Sequence, residues 1–203
     1  DIKTLINFAR ENGSSIIPRT AGTSLAGQVV GNGIVVDVSK NFTKILEVNK
    51  EEHWVRVQPG VVRDVLNMEL KKHGLFFGPE TSTANRAMIG GMVGNNSCGS
   101  NSVVYGSTRE HLMEVKGILS DGSEIEFKSS DNKGFKDLID IAERKNGSAT
   151  LFDKIYKETN AILSDKFNQE EIRREFPKPT IERRNTGYAL VMLLNSEPFY
   201  AGR

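Results

Sequence analysis

The segment Ile16–Asp37, IIPRTAGTSLAGQVVGNGIVVD, limits what this chain can fold into more than any other. Ile16 and Ile17, stopped by Pro18, and the run Ile34 to Val36, resumed at Val38, are β-branched and apolar and predict two short strands. The residues between them carry little side-chain bulk. At Thr20, Ala21, Gly22, Thr23 and Ser24 successive backbone N–H groups are free to converge on one point, and convergent amides favour an anion such as phosphate. Neither of two common phosphate loops fits. No Lys-Ser/Thr pair opens a helix after a second glycine, and three glycines do not stand at the dinucleotide spacing. A plain Gly/Ser surface loop is the competing reading.

A second Gly-rich stretch, Gly78–Gly106, weighs against that plain reading: GPETSTANRAMIGGMVGNNSCGSNSVVYG. With it the chain resembles the FAD-linked oxidoreductases of the vanillyl-alcohol oxidase type, which carry a PCMH-type FAD-binding domain. The resemblance rests on blocks that come in family order, PRTAGTSLAGQ, VQPGVV, HGLFFGPETS, IGGMVGNNSCG, YGSTREHL and RRNTGYAL. It is nearest the D-lactate dehydrogenase and glycolate oxidase subunit group. NNSCG and RRNTGYAL point to bacterial members fused to an iron-sulfur domain.

The resemblance implies an α+β fold in two lobes, residues 1–42 and 43–203, with FAD between them and a C-terminal substrate domain absent from this chain. It implies that Arg19, Thr20, Ala21, Gly22, Thr23 and Ser24 cradle the FAD pyrophosphate. Where many relatives have a run of glycines the chain has Thr20 and Ala21, at which a positive φ would be costly. The loop lacks the histidine that tethers flavin in some relatives, so the FAD is non-covalent. Pro79, Glu80, Thr81 and Ser82 match the block that reaches the ribityl and phosphate region. Ile89, Gly90 and Gly91 match a helix start close against the cofactor, where a missing Cβ lets backbone approach. Asn95, Gly99, Tyr105 and Gly106 complete the set.

Arg183, Arg184 and Thr186 fall in the block the family places near substrate. A guanidinium fork suits the carboxylate of a 2-hydroxy acid, though an exposed basic pair is the alternative, and the sequence leaves open which arginine points inward. The function implied is oxidation of a 2-hydroxy acid, of the D-lactate or glycolate type, by hydride transfer to FAD. A separate electron acceptor or iron-sulfur module is its redox partner. Two alternatives stand beside it: a nucleotide-binding or interaction module without turnover, and a sugar-nucleotide reductase on the same FAD domain. No residue is assigned as catalytic base, and the isolated chain is expected to bind FAD weakly and not to turn over.

Composition narrows the partners. Lys and Arg number 27 against 26 Asp and Glu, which gives no field for nucleic acid. Cys98, the single cysteine, excludes an internal disulfide and a clustered-cysteine metal site, and suits a reducing compartment. Cytoplasm is the expected location, peripheral at the inner membrane in a full-length protein, since no apolar run approaches the ~18 to 20 residues of a membrane span. Met88, Met92 and Met113 read as core filling rather than copper ligands, and no metal is expected.

The remaining elements follow from periodicity. Ile2, Leu5, Ile6 and Ala9 stand at helical spacing before Gly13. The segment around Ile45 and the alternating HWVRVQ predict a hairpin. Val62, Val65, Leu66 and Leu70 share one helix face that ends near His73 and Gly74. Apolar runs flanking Asp121 and Gly122 predict a second hairpin, with helices at Phe135–Gly147 and Leu151–Leu163. Charged composition at Ser164–Pro179 predicts a solvated connector. His53 reads as surface, His73 as a helix-end charge, and His111 as structural at the start of a strand.

Overall fold

A computed structural model describes residues 1–128, 137–141, 149–178, 180–181 and 187–195. The chain divides into two compact units, one formed by Phe8–His111 and the other by Asp1–Asn7 with Leu112–Arg203. The mixture of helices with small, mostly antiparallel sheets is the expected α+β class.

Helix α1, Ile2–Glu11, buries Ile6 and Ala9 and is followed by Gly13 at φ +58°. Strands β1, Ile16–Arg19, and β2, Ile34–Asp37, pair in parallel with Ile16 opposite Ile34, so the Gly-rich loop bridges two strands that run the same way. The hairpin of β3, Ile45–Asn49, and β4, Trp54–Val57, is antiparallel with a register shift between Ile45 and Glu47. Helix α2, Arg63–Lys71, covers it. Val61, Leu66 and Leu70 form the core, with Ile45, Val48, Val55, Val57, Leu75, Phe77 and Ile89 packed against them. Leu66 is only 1% exposed, and burying a leucine that fully contributes about 2 kcal/mol. Val65 was expected on this face but is 53% exposed; Leu66 and Leu70, with Val61 from before the helix, make the core instead. Short helices α3, Ile89–Gly94, and α4, Ser102–Tyr105, and a 3-10 turn, Thr108–His111, finish the unit.

The other unit holds the expected hairpin, β5 Glu114–Ile118 and β6 Glu124–Lys128. Residues 137–141 are helical, in the expected place, with Ile139 buried; Phe135, Ala142 and Gly147 lie outside the described residues. Helix α5, Leu151–Ser164, opens with a capping box between Thr150 and Asp153. The aromatic rings of Phe127, Phe152 and Tyr156 pack with centroids 4.7 to 6.3 Å apart and tie β6 to α5. Asp121, in the hairpin turn, accepts from the Leu151 N–H at 2.7 Å and so satisfies an orphan donor of the same helix.

The expected connector at Ser164–Pro179 is instead helix α6, Lys166–Glu175. Asp165 caps it by accepting from the Asn168 N–H, Glu171 pairs with Arg174 at 2.6 Å one turn on, and Ile172 alone supplies a buried apolar anchor. A last short helix, α7, spans Leu190–Asn195.

Candidate functional site

The loop after β1 folds around glycine where a left-handed residue is needed. Gly22 has φ +66° and Gly27 φ +75°, whereas among the described residues the positive-φ residues other than glycine are His53 and Asn96. The Thr20 and Ala21 substitutions therefore carry no left-handed strain, since the turn places that demand on Gly22. The Arg19 guanidinium lies over the same glycine, its Nε 3.0 Å from where a Cβ would stand. Residues 20–24 are half-buried, and their N–H groups meet no acceptor among the described residues. A row of amide donors left without a protein acceptor is available to a ligand, and a diphosphate supplies acceptors. On that test the loop fits the pyrophosphate of a dinucleotide.

Three of the segments picked out in the sequence come together in the 8–111 unit. The Thr20 hydroxyl rests on Gly91, 2.5 Å from the position of a Cβ, and Thr83 Oγ1 stands 3.4 Å from Thr23 Oγ1. Ser24 Oγ donates to Gln28 Oε1 at 2.5 Å, Gln28 Nε2 to Asn95 Oδ1 at 3.1 Å, and Asn95 Nδ2 to Ser97 Oγ at 3.2 Å. The Glu80 carbonyl occupies the place of a Gly99 side chain, and Asn101 donates to the Glu80 carboxylate. Thr81 and Thr83 hydroxyls are 3.3 Å apart, Pro79 is buried, and Ser82 is exposed.

These contacts change the reason for the glycines. The space at Gly90 is filled by Pro59, at Gly91 by Thr20, at Gly99 by Glu80 and at Gly78 by Tyr105. Their missing side chains let protein segments interlock, in addition to any approach to a ligand. Ile89 begins α3, while Tyr105 ends α4 and stacks edge-on against Phe76 with centroids 5.2 Å apart. Gly106 has φ +74°.

Several residues of the network lie inside the quoted blocks but had been given no role. Gln28 bridges the first loop to α3, and Asn96 accepts from Ser107 Oγ at 2.9 Å and from the Arg109 N–H at 3.1 Å. Burial pushes the Glu110 carboxyl up, but the Ser107 hydroxyl and N–H outweigh it and hold the group below the ordinary carboxylate value. Ser107 and Thr108 are buried polar residues, and Thr108 hydrogen-bonds the Ser97 carbonyl through both N–H and hydroxyl. Their signal in the sequence was their place in PRTAGTSLAGQ, IGGMVGNNSCG and YGSTREHL.

The histidines keep structural settings. His53 is exposed, His73 lies 3.7 Å from Glu69 at the end of α2, and His111 Nε2 sits 2.6 Å from the Tyr105 carbonyl with its ring edge-on to Phe77. His111 closes the 3-10 turn, three residues before the strand it was expected to open. Met92 is buried as expected, but Met113 is 61% exposed. Cys98 is half-buried. Arg183, Arg184 and Thr186 lie outside the described residues. A groove of about 300 Å³ lined by Ile45, Leu46, Glu47, Val48 and Glu69 shares no residue with the converging loops. Among the described residues no group of His, Cys, Asp and Glu is arranged to hold a metal, and no helix is long and apolar enough to cross a membrane.

A parallel strand pair joined by a loop of small residues, braced by the Gly78–Gly106 stretch, is a framework without the common phosphate-loop signatures. The chain belongs to the family described as FAD binding domain, which matches residues 1–128. It is 38% identical over 196 residues to a D-2-hydroxyglutarate dehydrogenase of Pseudomonas putida, covering 97% of this chain and 18% of that protein. It is 33% identical over 137 residues to a mitochondrial D-lactate dehydrogenase [cytochrome] of Kluyveromyces lactis, covering 66% of this chain and 23% of that one. The chain thus spans about a fifth of the length of these relatives. Among solved structures an alkyldihydroxyacetonephosphate synthase superposes with a TM-score of 0.56 at 23% identity, over 64% of this chain and 24% of that one, a likeness of fold alone.

Proposed function

We propose that this chain is the FAD-holding part of a flavin dehydrogenase that oxidises a 2-hydroxy acid, with D-2-hydroxyglutarate as the first substrate to test. The observation that carries the reading is the 38% identity with a D-2-hydroxyglutarate dehydrogenase along 97% of the chain. D-lactate and glycolate, the substrates first suggested by the sequence blocks, are the comparison compounds. Bound FAD would supply the acceptor for the C2 hydride of the hydroxy acid, whose hydroxyl proton would go to a base to leave a 2-oxo acid.

In this reading the N–H groups of Thr20, Ala21, Gly22, Thr23 and Ser24 hold the pyrophosphate, with Arg19 adding positive charge from the loop's edge. Pro79, Glu80, Thr81 and Ser82, with Ile89, Gly90, Gly91, Asn95, Gly99, Tyr105 and Gly106, form the rest of the cofactor bed. Arg183, Arg184 and Thr186 bind the substrate carboxylate. Residues 1–42 and 43–203 are the two lobes of the FAD-binding domain. A separate acceptor or an iron-sulfur module would take the electrons onward, and the location is the cytoplasm, with the full-length protein peripheral at the inner membrane.

The purified full-length protein should be yellow and should reduce an artificial electron acceptor fastest with D-2-hydroxyglutarate. A protein that takes up FAD and oxidises none of the three acids would overturn the substrate assignment. A colourless protein that cannot be reconstituted with FAD would favour a nucleotide-binding or interaction module.

A further inference from the structure

The segment that carries Pro79 to Ala87 is not part of any strand, yet it is fixed at both ends by the first turns of α2. Arg63 donates through Nε to the Pro79 carbonyl at 3.1 Å and through one terminal nitrogen to the Phe77 carbonyl at 3.3 Å. Its other terminal nitrogen meets the Asp64 carboxylate at 3.1 Å. Asn67, one turn along, pairs with Phe77 as a backbone amide would, accepting from its N–H at 2.7 Å and donating to its carbonyl at 3.1 Å. At the far end of the segment the Arg63 N–H donates to the Ala87 carbonyl at 2.8 Å and the Asp64 N–H to the Ala84 carbonyl at 3.2 Å.

The Arg63 side chain is only 14% exposed. A cation taken that far from water is retained at a desolvation cost unless its fork is filled, and here two main-chain carbonyls and a carboxylate fill it. Lysine, a single ammonium on a flexible stem, cannot reproduce that geometry. We propose that Arg63 and Asn67 are positioning residues which set where Glu80, Thr81 and Thr83 stand relative to the loop at Thr20–Ser24. The link is continuous: Arg63 holds Pro79, Thr81 touches Thr83, and Thr83 touches Thr23. The inference rests on the FAD reading, because it assigns the clamp a role in cofactor affinity.

The test compares Arg63→Gln, Arg63→Lys and Asn67→Ala with Leu66→Ala, which removes a core side chain from the same helix but none of the clamp's hydrogen bonds. Each is titrated with FAD, its bound-flavin visible circular dichroism is recorded, and amide hydrogen exchange is followed in the absence of FAD. The expected result is an FAD affinity about tenfold lower in Arg63→Gln and Asn67→Ala, with an altered flavin dichroism and partial rescue in Arg63→Lys. Leu66→Ala should melt at lower temperature yet keep parental affinity. Exchange should speed at Phe77, Ala84, Arg86 and Ala87 in the clamp variants and stay parental in the β5–β6 hairpin.

Parental affinity and dichroism in Arg63→Gln, or an affinity loss in Leu66→Ala that scales with its loss of stability, would overturn the proposal. A parent protein that binds no FAD would overturn the cofactor reading and with it the clamp's role in affinity. The exchange data would then still decide whether the clamp orders the segment.

Discussion

Close contacts in residues 8–111 run against glycine, whereas in residues 112–195 they run to carboxylates placed at helix starts. A Cβ at Gly33, Gly60, Gly78, Gly90, Gly91 or Gly99 would fall within 3.0 Å of another atom, mostly backbone or the root of a side chain. In the other unit Gly117 has ordinary clearance of 3.4 Å to Ile125, and Gly122 and Gly187 face open space. There the fixed points are Asp121 at the Leu151 N–H, Asp153 with Thr150, and Asp165 at the Asn168 N–H. One region is specified by the absence of side chains and the other by their presence. An interlocked set of loops can present backbone donors to a ligand without side chains in the way, which is what a diphosphate site needs.

The largest effect that sharpens this contrast is expected at Gly99. An alanine there would place its Cβ 2.1 Å from the Glu80 carbonyl oxygen, a backbone atom with nowhere to go. Gly99→Ala should cost about 3 kcal/mol by urea unfolding, whereas Gly117→Ala, which meets only the end of Ile125, should cost less than about 1 kcal/mol. Equal effects at the two sites would break the comparison. Next in size is the cap of α5: Thr150→Ala removes the hydroxyl that accepts from the Asp153 N–H and should cost about 1 kcal/mol, read from the same unfolding curves.

The smallest effect is tied to pH. The Ser123 hydroxyl, followed by the Leu151 and Ser123 N–H groups, holds Asp121 at about 2, below its ordinary 3.8. A carboxyl depressed by folding adds stability above its unfolded value and loses it as pH falls through the folded one. Stability from Asp121 should therefore be intact above pH 3.8 and fade toward pH 2, a slope that Asp121→Asn should flatten in a pH series of melts. A parental slope in that variant would remove Asp121 from the acid response.

The same contrast accounts for what was legible in the sequence. Strands, hairpins and the helix at Leu151 follow from apolar periodicity and Asp-Gly turn chemistry, which are local properties. The blocks proposed to hold the cofactor stood out because glycine and small residues are forced by close packing, and the structure brings Thr20, Thr23, Glu80, Gly91, Asn95 and Gly99 into one network. Helix α6 was hidden because a helix with one buried apolar anchor, Ile172, has the composition of a loop, and its stability comes from a cap and ion pairs. Arg63 and Asn67, outside every quoted block, and Gln28, inside one without a role, were missed for another reason. Each acts on backbone or side chains ten or more positions away, and no spacing rule along the chain encodes such a contact.

The central claim is that the loop Thr20–Ser24 holds the cofactor's diphosphate, and an FAD titration of the parent and of Gly22→Val tests it most directly, with ADP as competitor. Valine at φ +66° would strain the turn by about 1 to 2 kcal/mol and push against the Arg19 guanidinium, while the hairpin core under α2 contains no part of this loop. The account predicts one FAD per parent chain, displaced by ADP, and an affinity at least about tenfold lower in Gly22→Val with the fold largely retained. Gly22→Val binding FAD as tightly as the parent would remove this loop from the site.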